Sequence, residues 1–438
     1  MAILFAVLYE IGLWLLALIA LPKLLYDLVV HKKHRKSFLY RLGCGLPKKS
    51  AKKSPVIWIH AISLGETKAA VALAREIKKR FPNGTLVISS VTETGHQEAQ
   101  RCMPFADHHI YLPLDFNLLI KRAIKRLSPD LVLLCESDFW LNFLQNVQKN
   151  GGYVGLINGK ISEKSAKRYS QFPFFSRRLF GLFDIFCMQN SLYQDRFIKL
   201  GIPQDKTLIT GNLKFDDEYP QLTLEEVKEW RQKLGISPGQ FVLTIGSTHD
   251  PEETLLIDVL TEVWKSWPNL KVLLIPRHPE RYDEAGKILE KKRMLWTSFT
   301  DINRQNGNEQ IILMNAMGLL RMCYQLSDFS IVGGSYTDRI GGHNIMEPCW
   351  YGKPVIFGPY MHTQVEFVNY VKKYESGFQV DLKALPATIS RLLEDESERS
   401  RVGQKGMAMM DDLKGATHKT IIALSPVLQR LREKYSTK

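Results

Sequence analysis

Short apolar runs alternate along this chain with stretches in which apolar residues recur at helical spacing. From residue 54 onward the runs are four to seven residues long, and amphipathic stretches such as 68–80 and 118–127 lie between several of them. This alternation is typical of parallel strands whose sheet is covered by helices on both faces. The predicted strands are 56–60, 85–91, 109–112, 131–135, 153–157, 184–189, 207–210, 241–246, 271–275, 310–314, 329–332, 354–357 and 377–380.

The strand pattern is interrupted once, between residues 214 and 239, by a charged run, two prolines and a polar helical stretch. We therefore predict an α/β protein with two Rossmann-like domains facing a central cleft, where ligands tend to bind. A length of 438 residues suffices for two cores. The predicted segments are a membrane-anchor helix at 1–30, a basic juxtamembrane segment at 31–53, an N-terminal domain at 54–215, a linker at 216–239, a C-terminal domain at 240–420 and a C-terminal helix at 421–438.

The first 30 residues are almost wholly apolar, and a basic block follows them. The apolar stretch is long enough to span a bilayer, and the basic block then predicts that the remaining chain lies on the cytoplasmic side, against anionic lipid. Because Glu10 is costly within hydrocarbon, a helix that lies in the membrane interface is the alternative. A cleaved signal peptide is disfavoured, since the positive cluster follows the apolar segment.

The net charge of +14 owes much to that basic block. Its localisation favours an anionic membrane surface as the partner and argues against nucleic acid. The six cysteines are scattered and include no CxxC pair, which argues against a disulfide framework and a zinc site. Between residues 28 and 65 there is no acidic residue and there are nine basic ones, namely Lys32, Lys33, Arg35, Lys36, Arg41, Lys48, Lys49, Lys52 and Lys53.

A glycine-rich loop follows the predicted strand 329–332. Its second glycine pair leads into a helix predicted to start at Ile345, with Asn344 as the N-cap and Glu347 completing a capping box. Free amides at a helix start, beside glycines that permit close approach, indicate a nucleotide or sugar-phosphate site. The alternative is a tight turn with an ordinary cap. The predicted donor loop comprises Gly333, Gly334, Ser335, Gly341, Gly342 and His343.

Acidic residues follow two predicted strands of the N-terminal domain. Glu66 comes after strand 56–60 at a helix start, where it acts as a general base or only neutralises the helix terminus. We expect that terminus to lower the pKa of Glu66. Glu136 directly follows strand 131–135, at the sheet edge where open α/β folds bind ligands, unless it lies in a solvated loop. Lys214 lies near the end of the predicted domain, where a lysine can bind a phosphate or carboxylate. The alternative is an ordinary surface lysine.

A basic turn follows the predicted strand 271–275. Arg277 can bind a phosphate in bidentate fashion, and His278 adds a donor. Prolines on both sides of this pair hold the segment away from helical geometry. The alternative is a turn with exposed charges. Residues 246–249 form a second, more weakly indicated phosphate-facing turn.

In combination, these segments resemble the 3-deoxy-D-manno-octulosonic acid (Kdo) transferases, which glycosylate lipid A precursors. The resemblance covers nearly the whole chain in order, and the combination is specific where no single motif would be. The matching segments are His60-Ala-Ile-Ser-Leu-Gly-Glu66, Glu136 with Trp140 and Asn142, Gly211-Asn-Leu-Lys214-Phe-Asp216, Arg277-His278-Pro-Glu-Arg281, Gly333-Gly-Ser, and Gly341-Gly-His-Asn-Ile-Met-Glu347-Pro, followed by Gly358-Pro359.

The resemblance implies a GT-B fold and an inverting transfer of Kdo from CMP-Kdo to a lipid A precursor at the cell inner membrane. It implies no metal ion or other cofactor, and it leaves open whether several Kdo residues are added in sequence. Glu66 is implied as the general base, with Glu136 and Lys214 stabilising the transition state. The implied CMP-binding residues are Arg277, His278, Met317, Gly318, Leu319, Asn344, Ile345, Met346 and Glu347.

The chain departs from the family pattern at three places. Asp-Thr-Met-Gly-Glu-Leu is here Asn-Ala-Met-Gly-Leu-Leu at 315–320, which loses two acids and leaves the donor contacts of that loop open. Glu-x-Glu-x-Trp-Pro-Asn is here Glu-Ser-Asp-Phe-Trp-Leu-Asn at 136–142, and the expected Asn-Phe after Gly-Pro is replaced around 362–367. These changes bear on acceptor use and leave the implied base and phosphate turn intact.

Two other functions stay open from the sequence. A membrane-associated transferase that uses a UDP-sugar on a lipid acceptor would have the same architecture. A non-catalytic nucleotide-sugar-binding membrane protein would bind a donor without turning it over.

Overall fold

The computed structural model describes residues 2–29, 31, 35–47, 53–216, 220–304 and 307–436. The chain divides into two compact units: unit 1 contains Met1–Asp217 and Leu413–Lys438, and unit 2 contains Glu218–Asp412. Residues from 413 onward therefore group with unit 1, whereas the sequence predicted a C-terminal domain that extends to residue 420. Of the predicted basic segment and linker, Lys32, Lys33, Lys48, Lys49, Lys52, Asp217 and Glu218 lie outside the described residues.

The helices and strands of the described chain follow the apolar patterning closely. The strands are β1 (Val56–His60), β2 (Thr85–Ser90), β3 (His108–Tyr111), β4 (Leu131–Cys135), β5 (Tyr153–Gly159), β6 (Ile185–Met188), β7 (Thr207–Ile209), β8 (Val242–Thr248), β9 (Lys271–Pro276), β10 (Trp296–Ser298), β11 (Ile311–Leu313), β12 (Phe329–Val332), β13 (Val355–Phe357) and β14 (Gly377–Gln379). The helices are α1 (Ala2–Val29), α2 (Arg35–Arg41), α3 (Leu64–Arg80), α4 (Glu93–Cys102), α5 (Asn117–Leu127), α6 (Leu141–Lys149), α7 (Glu163–Gln171), α8 (Pro173–Phe180), α9 (Ser191–Lys199), α10 (Leu224–Lys233), α11 (Glu252–Ser266), α12 (Tyr282–Lys291), α13 (Leu320–Leu326), α14 (Met346–Trp350), α15 (Val365–Tyr374), α16 (Leu385–Glu394), α17 (Glu396–Leu413) and α18 (Ala416–Ser436).

Unit 1 contains a parallel sheet whose described strands follow the order β3-β2-β1-β4-β5-β6-β7. β1 is buried along its whole length, as expected for a central strand with helices on both faces. The order reverses between β1 and β4, where Ile57 lies opposite Leu131. Such a switch point leaves a crevice at the carboxyl ends of the two strands, and open α/β sheets bind their ligands there.

The last helix is an integral part of unit 1. Its residues Leu424, Leu428 and Leu431 are buried in the same apolar cluster as side chains of β1, β4 and α3. At the start of α18 the Asp216 carboxylate accepts hydrogen bonds from backbone amides, including that of Gly415 at 2.7 Å. The aspartate offsets the unpaired amides and the positive end of the helix dipole.

Unit 2 contains a second parallel sheet, with the described strands in the order β10-β11-β9-β8-β12-β13-β14. Its order reverses between β8 and β12, where Leu243 lies opposite Phe329. The prediction of two Rossmann-like α/β units is therefore confirmed. The edge strand β10 was not predicted, because its sequence Trp-Thr-Ser contains no apolar run.

The first helix is held against the rest of unit 1 by polar contacts in its first third. The Tyr9 hydroxyl donates to Asp115 Oδ2 at 2.9 Å. The Glu10 carboxylate accepts from Asn142 Nδ2 at 2.9 Å and from the backbone amide of Asn117 at 3.2 Å. Glu10, which is costly in a helix surrounded by lipid, is therefore satisfied by the start of α5 and by α6.

Much of the remaining α1 surface is apolar and exposed. Within the described residues, no helix combines the length and the apolar character needed to cross a membrane, so the predicted spanning helix is not supported. The large exposed apolar side chains of α1 include Val7, Leu8, Ile11, Trp14, Leu15, Leu16, Leu18, Ile19 and Leu21.

Candidate functional site

The switch point of unit 1 brings together acidic residues from two neighbouring strands. β1 ends at His60 and leads within six residues to Glu66, while β4 ends directly before Glu136. Because β1 and β4 are paired in parallel, their carboxyl ends meet at the same edge of the sheet. Glu66 and Glu136 therefore lie near each other, close enough for the charge of Glu136 to act on the Glu66 carboxyl group.

Glu66 lies in the first turn of α3 and is half-buried. Its carboxylate accepts a hydrogen bond from the backbone amide of Ile62 at 2.9 Å and one from the hydroxyl of Ser63 at 3.2 Å. Ser63, the N-cap, accepts in turn from the backbone amide of Glu66. The carboxylate therefore takes part in capping the helix, and that contact also holds it in one orientation at the edge of the sheet.

The pKa of Glu66 is raised above its ordinary value. Burial is the main cause, and the nearby negative charge of Glu136 adds to it, while the amide of Ile62 opposes the shift. The expectation that the helix terminus would lower this pKa is therefore wrong, because desolvation outweighs the capping contacts. A raised pKa makes Glu66 a stronger base toward a hydroxyl group than an ordinary carboxylate.

Glu136 is buried between two lysines. Its carboxylate forms ion pairs with Lys214 at 2.8 Å and with Lys160. Burial opposes ionisation of this carboxyl group, yet the charges and hydrogen bonds of Lys214 and Lys160 hold its pKa below the ordinary value. Glu136 therefore remains an anion at neutral pH, and both lysines stay partly exposed to solvent beside it.

Lys160 is a residue of this site that the sequence reasoning missed. It follows β5 directly, as Glu136 follows β4, and β5 lies next to β4 in the sheet. The same rule about the carboxyl ends of neighbouring strands points to it. The predicted strand ended at residue 157, three residues before Lys160, whereas β5 extends to Gly159.

The backbone around Glu136 adopts an uncommon conformation at two neighbouring strand ends. Glu136 has a φ of 66°, and Asn158 at the end of β5 has a φ of 51°. The Asn158 amide oxygen accepts from the backbone amide of Leu213 at 2.9 Å, just before Lys214. A glutamate in this region costs about 1–2 kcal/mol, and such strained positions cluster at functional sites.

A buried histidine, His60, ends β1 next to the same site. His60 is fully buried, with Nδ1 2.8 Å from the Ser89 hydroxyl and Nε2 3.0 Å from Asp138 Oδ2. Ser89 is also fully buried and accepts from the indole of Trp58 at 2.7 Å. A serine enclosed in this way cannot act as a nucleophile, so we assign the group a structural role. Asp138, where the family pattern has a glutamate, is one of its members.

The switch point of unit 2 lies beside basic residues. Arg277 and His278 follow β9 and are exposed, and the backbone amide of Arg277 donates to the carbonyl of Thr248 at 3.0 Å. Among the described residues, no carboxylate lies within ion-pair distance of the Arg277 side chain. Arg281, by contrast, is paired with the buried Glu253 at 2.9 Å. Arg277 thus keeps its charge available to an anionic ligand, whereas Arg281 does not.

The amides of the first glycine pair are already bound within the protein. The buried carboxylate of Glu252 accepts hydrogen bonds from Gly334 at 2.7 Å, Ser335 at 3.0 Å and Tyr336 at 2.8 Å. These three amides are therefore not free to bind a ligand. Their role is to hold the loop against the start of α11, which carries Glu252.

The second glycine pair is packed against the chain itself. A Cβ atom at Gly341 would lie 2.5 Å from His362 Nε2, and one at Gly342 would lie 2.3 Å from Met361 Sδ. Both glycines have a φ near +85° to +89°. The open side that was predicted to admit a ligand is therefore filled by the segment after Pro359.

Helix α14 is shorter and capped differently than predicted. It has five residues, and its N-cap is Ile345, without a side-chain cap hydrogen bond. The Asn344 side chain accepts from the backbone amide of Met346 at 3.0 Å, so it caps the turn one residue earlier than the helix itself. The predicted capping box with Glu347 is not formed. A helix this short has little dipole to attract an anion.

The turn before α13 presents Met317, Gly318 and Leu319. Met317 is 70% exposed, and Gly318 has a φ of 85°, which glycine adopts without strain. Asn315, where the family pattern has an aspartate, exchanges two hydrogen bonds with Thr300. The lost acid is thus replaced by an internal contact that fixes the turn.

Two further histidines meet near Arg277, and the sequence analysis did not predict their contact. His249 follows β8, and His343 lies in the glycine-rich loop; their Nε2 atoms are 2.7 Å apart. The ring of His278 lies 5.3 Å from that of His249, edge to face. The contact joins two turns that are 94 residues apart in sequence, so no local pattern could reveal it.

Residues 36–217 match a family model described as 3-Deoxy-D-manno-octulosonic-acid transferase (kdotransferase). A 3-deoxy-D-manno-octulosonic acid transferase from Chlamydophila psittaci is 34% identical over 420 residues, which cover 94% of this chain and 94% of that protein. One from Haemophilus influenzae is 29% identical over 380 residues, 85% of this chain and 87% of that protein.

Solved structures share the fold at low sequence identity. A glycosyltransferase from Rickettsia africae matches with a TM-score of 0.58 and 16% identity, over 86% of this chain and 99% of its own. A UDP-GlcNAc 2-epimerase from Neisseria meningitidis matches with a TM-score of 0.60 and 13% identity, over 85% of this chain and 100% of its own. Proteins of different activity have this fold, so the likeness speaks for architecture alone.

Proposed function

Because the chain belongs to the 3-deoxy-D-manno-octulosonic acid transferase family, we propose that it transfers Kdo from CMP-Kdo to a lipid A precursor in lipopolysaccharide biosynthesis. The observation that carries the proposal is the half-buried carboxylate of Glu66, with a raised pKa, at the switch point of unit 1. A site of this kind suits the removal of a proton from a hydroxyl group.

In the proposed reaction, Glu66 accepts the proton of the acceptor hydroxyl as that oxygen attacks the anomeric carbon of Kdo. CMP leaves from the opposite face, so a single displacement inverts the configuration. The hydrogen bonds from Ile62 and Ser63 fix the orientation of the carboxylate before the acceptor arrives. Such preorganisation reduces the cost of reaching the transition state.

Glu136 and its lysines form the second part of the proposed catalytic site. Lys214 and Lys160 are partly exposed, and each has ammonium hydrogens beyond those that face Glu136. They are therefore suited to stabilise negative charge that develops during transfer. Glu136 holds the two ammonium groups in place through its ion pairs.

The donor is proposed to bind unit 2. Arg277 and His278 contact the phosphate of CMP, since both are exposed and Arg277 lacks a carboxylate partner within the described chain. The remaining contacts come from the turn 317–319 and from residues 344–347. Because the Gly334 and Ser335 amides bind Glu252, the glycine loop contributes through His343 and its shape rather than through free amides.

Transfer is proposed to need no divalent ion. The phosphodiester of CMP-Kdo carries one negative charge, and the guanidinium of Arg277 can offset it as CMP departs. The check is the initial transfer rate with and without excess EDTA. Equal rates support the proposal, and a loss that added magnesium restores would refute it.

The enzyme is proposed to act at the cytoplasmic face of the inner membrane, with α1 lying in the membrane interface. Two facts support this arrangement: Tyr9 and Glu10 are bound to unit 1, and the remaining apolar side chains of α1 are exposed. A lipid-borne acceptor would then meet the protein at the same surface, where basic residues attract its phosphates.

The direct test incubates the purified protein with CMP-Kdo and a lipid A precursor, and measures product masses. The expected product is heavier than the acceptor by one or more Kdo residues, and the number of added masses gives the number transferred. Parallel reactions contain UDP-sugars in place of CMP-Kdo. Transfer from a UDP-sugar alone would replace the proposal with the UDP-dependent alternative, and no product from either donor would favour a non-catalytic binding protein.

A further inference from the structure

His249 and His343 are in hydrogen-bond contact beside the proposed donor site, where the pair can gain a positive charge. We propose that these two histidines form a pair that takes up a proton when an anionic nucleotide binds beside Arg277, and thereby becomes a cationic subsite for its phosphate. The inference rests on the proposed function only in that the ligand is a nucleotide of the proposed donor class.

The short distance between the two rings requires a proton between their Nε2 atoms. The Nε2 atoms are 2.7 Å apart, the ring planes differ by 15° and the ring centroids are 5.0 Å apart. A nitrogen–nitrogen distance this short is less than the spacing of rings stacked face to face, so the rings meet edge to edge. One Nε2 then donates and the other accepts. Each ring keeps its Nδ1 atom for a further proton or ligand.

The surrounding backbone is built to bring these rings together. A single oxygen of Glu252, Oε2, accepts from the backbone amide of His249 at 2.9 Å and from that of Gly334 at 2.7 Å. A Cβ atom at Gly334 would lie 2.7 Å from His343 Cδ2, so only glycine leaves room for the ring. The buried carboxylate therefore pins the two loops, and the missing side chain lets the histidines touch.

Burial and the positive charges around the histidine pair keep it neutral when no anion is present. Burial lowers the pKa of His343 to about 4, and His249, Arg277 and His278 act in the same direction. The pKa of His249 is also lowered, first by burial and then by His278 and the two arginines, with only Glu253 opposing.

An anion bound beside Arg277 reverses this balance. It offsets the positive charge of Arg277, and it accepts hydrogen bonds from a protonated imidazole. The pKa of the pair then rises, so binding draws a proton from solution. By linkage, nucleotide affinity falls as the pH rises through the pKa of the complex.

The test measures proton uptake by isothermal titration calorimetry. CMP is titrated into the full-length protein at pH 7.5 in three buffers of different ionisation enthalpy. At this pH the phosphate of free CMP, with a second pKa of about 6, is already almost fully ionised. The expected result for the unchanged protein is an uptake of a measurable fraction of a proton per CMP. Cytidine, which has no phosphate, should bind without uptake.

Two variants and a matched control sharpen the test. His249→Gln and His343→Gln should each abolish the uptake and weaken CMP binding about 10-fold, because the charged hydrogen bond to the phosphate is lost. His96→Gln removes a half-buried histidine of unit 1 whose pKa is also lowered, and it should change neither quantity. Thermal unfolding of each variant confirms that it folds before binding is compared.

The other outcomes distinguish a failure of the histidine pair from a failure of the proposed function. CMP binding without proton uptake, or uptake that persists in both glutamine variants, overturns the histidine pair and leaves the proposed function standing. Binding of UDP in place of CMP overturns the donor assignment, and proton uptake measured with UDP then decides the pair. Binding of neither nucleotide overturns both.

Discussion

The two switch points share a topology and differ in charge. In unit 1, Glu66 and Glu136 lie at the carboxyl ends of β1 and β4, the two strands of the switch point. In unit 2, His249 follows β8, a strand of the switch point, and Arg277 follows β9, the other neighbour of β8. The fold therefore decides where a site lies, and the residues at the strand ends decide what it does. The acidic site is suited to a base and the basic site to an anionic donor.

Each switch point also contains a buried carboxylate, and the two are held differently. Glu136 faces Lys160 and Lys214, which lower its pKa against the effect of burial. Glu252 is bound by backbone amides, and burial raises its pKa despite them. Because Lys160 and Lys214 are partly exposed, their ammonium groups can contact a substrate. Glu252 is enclosed, so its role is to hold loops in place.

The largest expected effect comes from Glu66→Gln. Glutamine keeps the capping contacts of the first turn of α3 but cannot accept the proton, so transfer should fall about 10²–10⁴-fold. CMP binding and the free energy of unfolding should stay close to those of the unchanged protein. The measurements are the transfer rate and calorimetric binding of CMP.

Glu93→Gln is the matched control for that change. Glu93 is also an acid in the first turn of a helix of unit 1, namely α4. It should keep near-normal transfer. Equal losses in the two variants would mean that helix capping, rather than base chemistry, explains the effect of Glu66.

Replacing the lysines that flank Glu136 should have the next largest effect. Lys214→Met and Lys160→Met each remove a cation that is proposed to stabilise the transition state, so transfer should fall about 10²-fold. The Michaelis constant for CMP-Kdo should change much less, which steady-state kinetics will reveal. Unchanged turnover in either variant would contradict a catalytic role for that lysine and would indicate a structural role only.

The two arginines after β9 give a contrast within unit 2. Arg277→Ala should weaken CMP binding about 10-fold to 100-fold, because a charge-assisted contact to the phosphate is lost. Arg281→Ala should instead lower the free energy of unfolding by about 1–3 kcal/mol, since the buried Glu253 loses its partner. Calorimetry and urea denaturation measure the two effects. Unchanged CMP affinity in Arg277→Ala would contradict the donor assignment.

The smallest expected effect is the pH dependence of stability at Glu136. Because the folded pKa of Glu136 lies below its unfolded value, its ion pairs stabilise the fold at neutral pH. That stabilisation is lost as the pH falls through the folded pKa. Lys160→Met should therefore lower the free energy of unfolding by about 1–3 kcal/mol at pH 7.

Urea denaturation at a pH well below the ordinary glutamate pKa of 4.5 supplies the comparison. There the unchanged protein and Lys160→Met should have nearly equal stability. A difference that persists at low pH would mean that the lysine stabilises the fold by packing rather than by its charge.

Hydrophobic periodicity predicted the sheets well, because a buried parallel strand needs a continuous apolar run. β1, β4 and β12 begin and end at the predicted residues. Glu66, Glu136 and Arg277 were also located in advance, since each follows a strand that lies beside or next to a switch point. These features depend on local sequence and on a general rule for open α/β sheets.

Contacts between distant turns could not be predicted in this way. The amides of Gly334 and Ser335 pair with Glu252, more than 80 residues earlier in the chain, and the sequence gives no sign that they are occupied. The pKa of Glu66 depends on burial set by the whole unit, which outweighs its local helix terminus. The partners of Glu10 in α5 and α6 likewise lie more than 100 residues further along the chain, so the sequence shows Glu10 only as a charge within an apolar segment.

The proposed chemistry depends on Glu66, and the pH dependence of transfer tests its role most directly. The transfer rate of the unchanged protein should fall on the acid side with an apparent pKa above the ordinary value of 4.5, as Glu66 becomes protonated. The residual transfer of Glu66→Gln should lack this decline. A decline of the same midpoint in the variant would show that another group carries the proton and would contradict the assignment of Glu66 as the base.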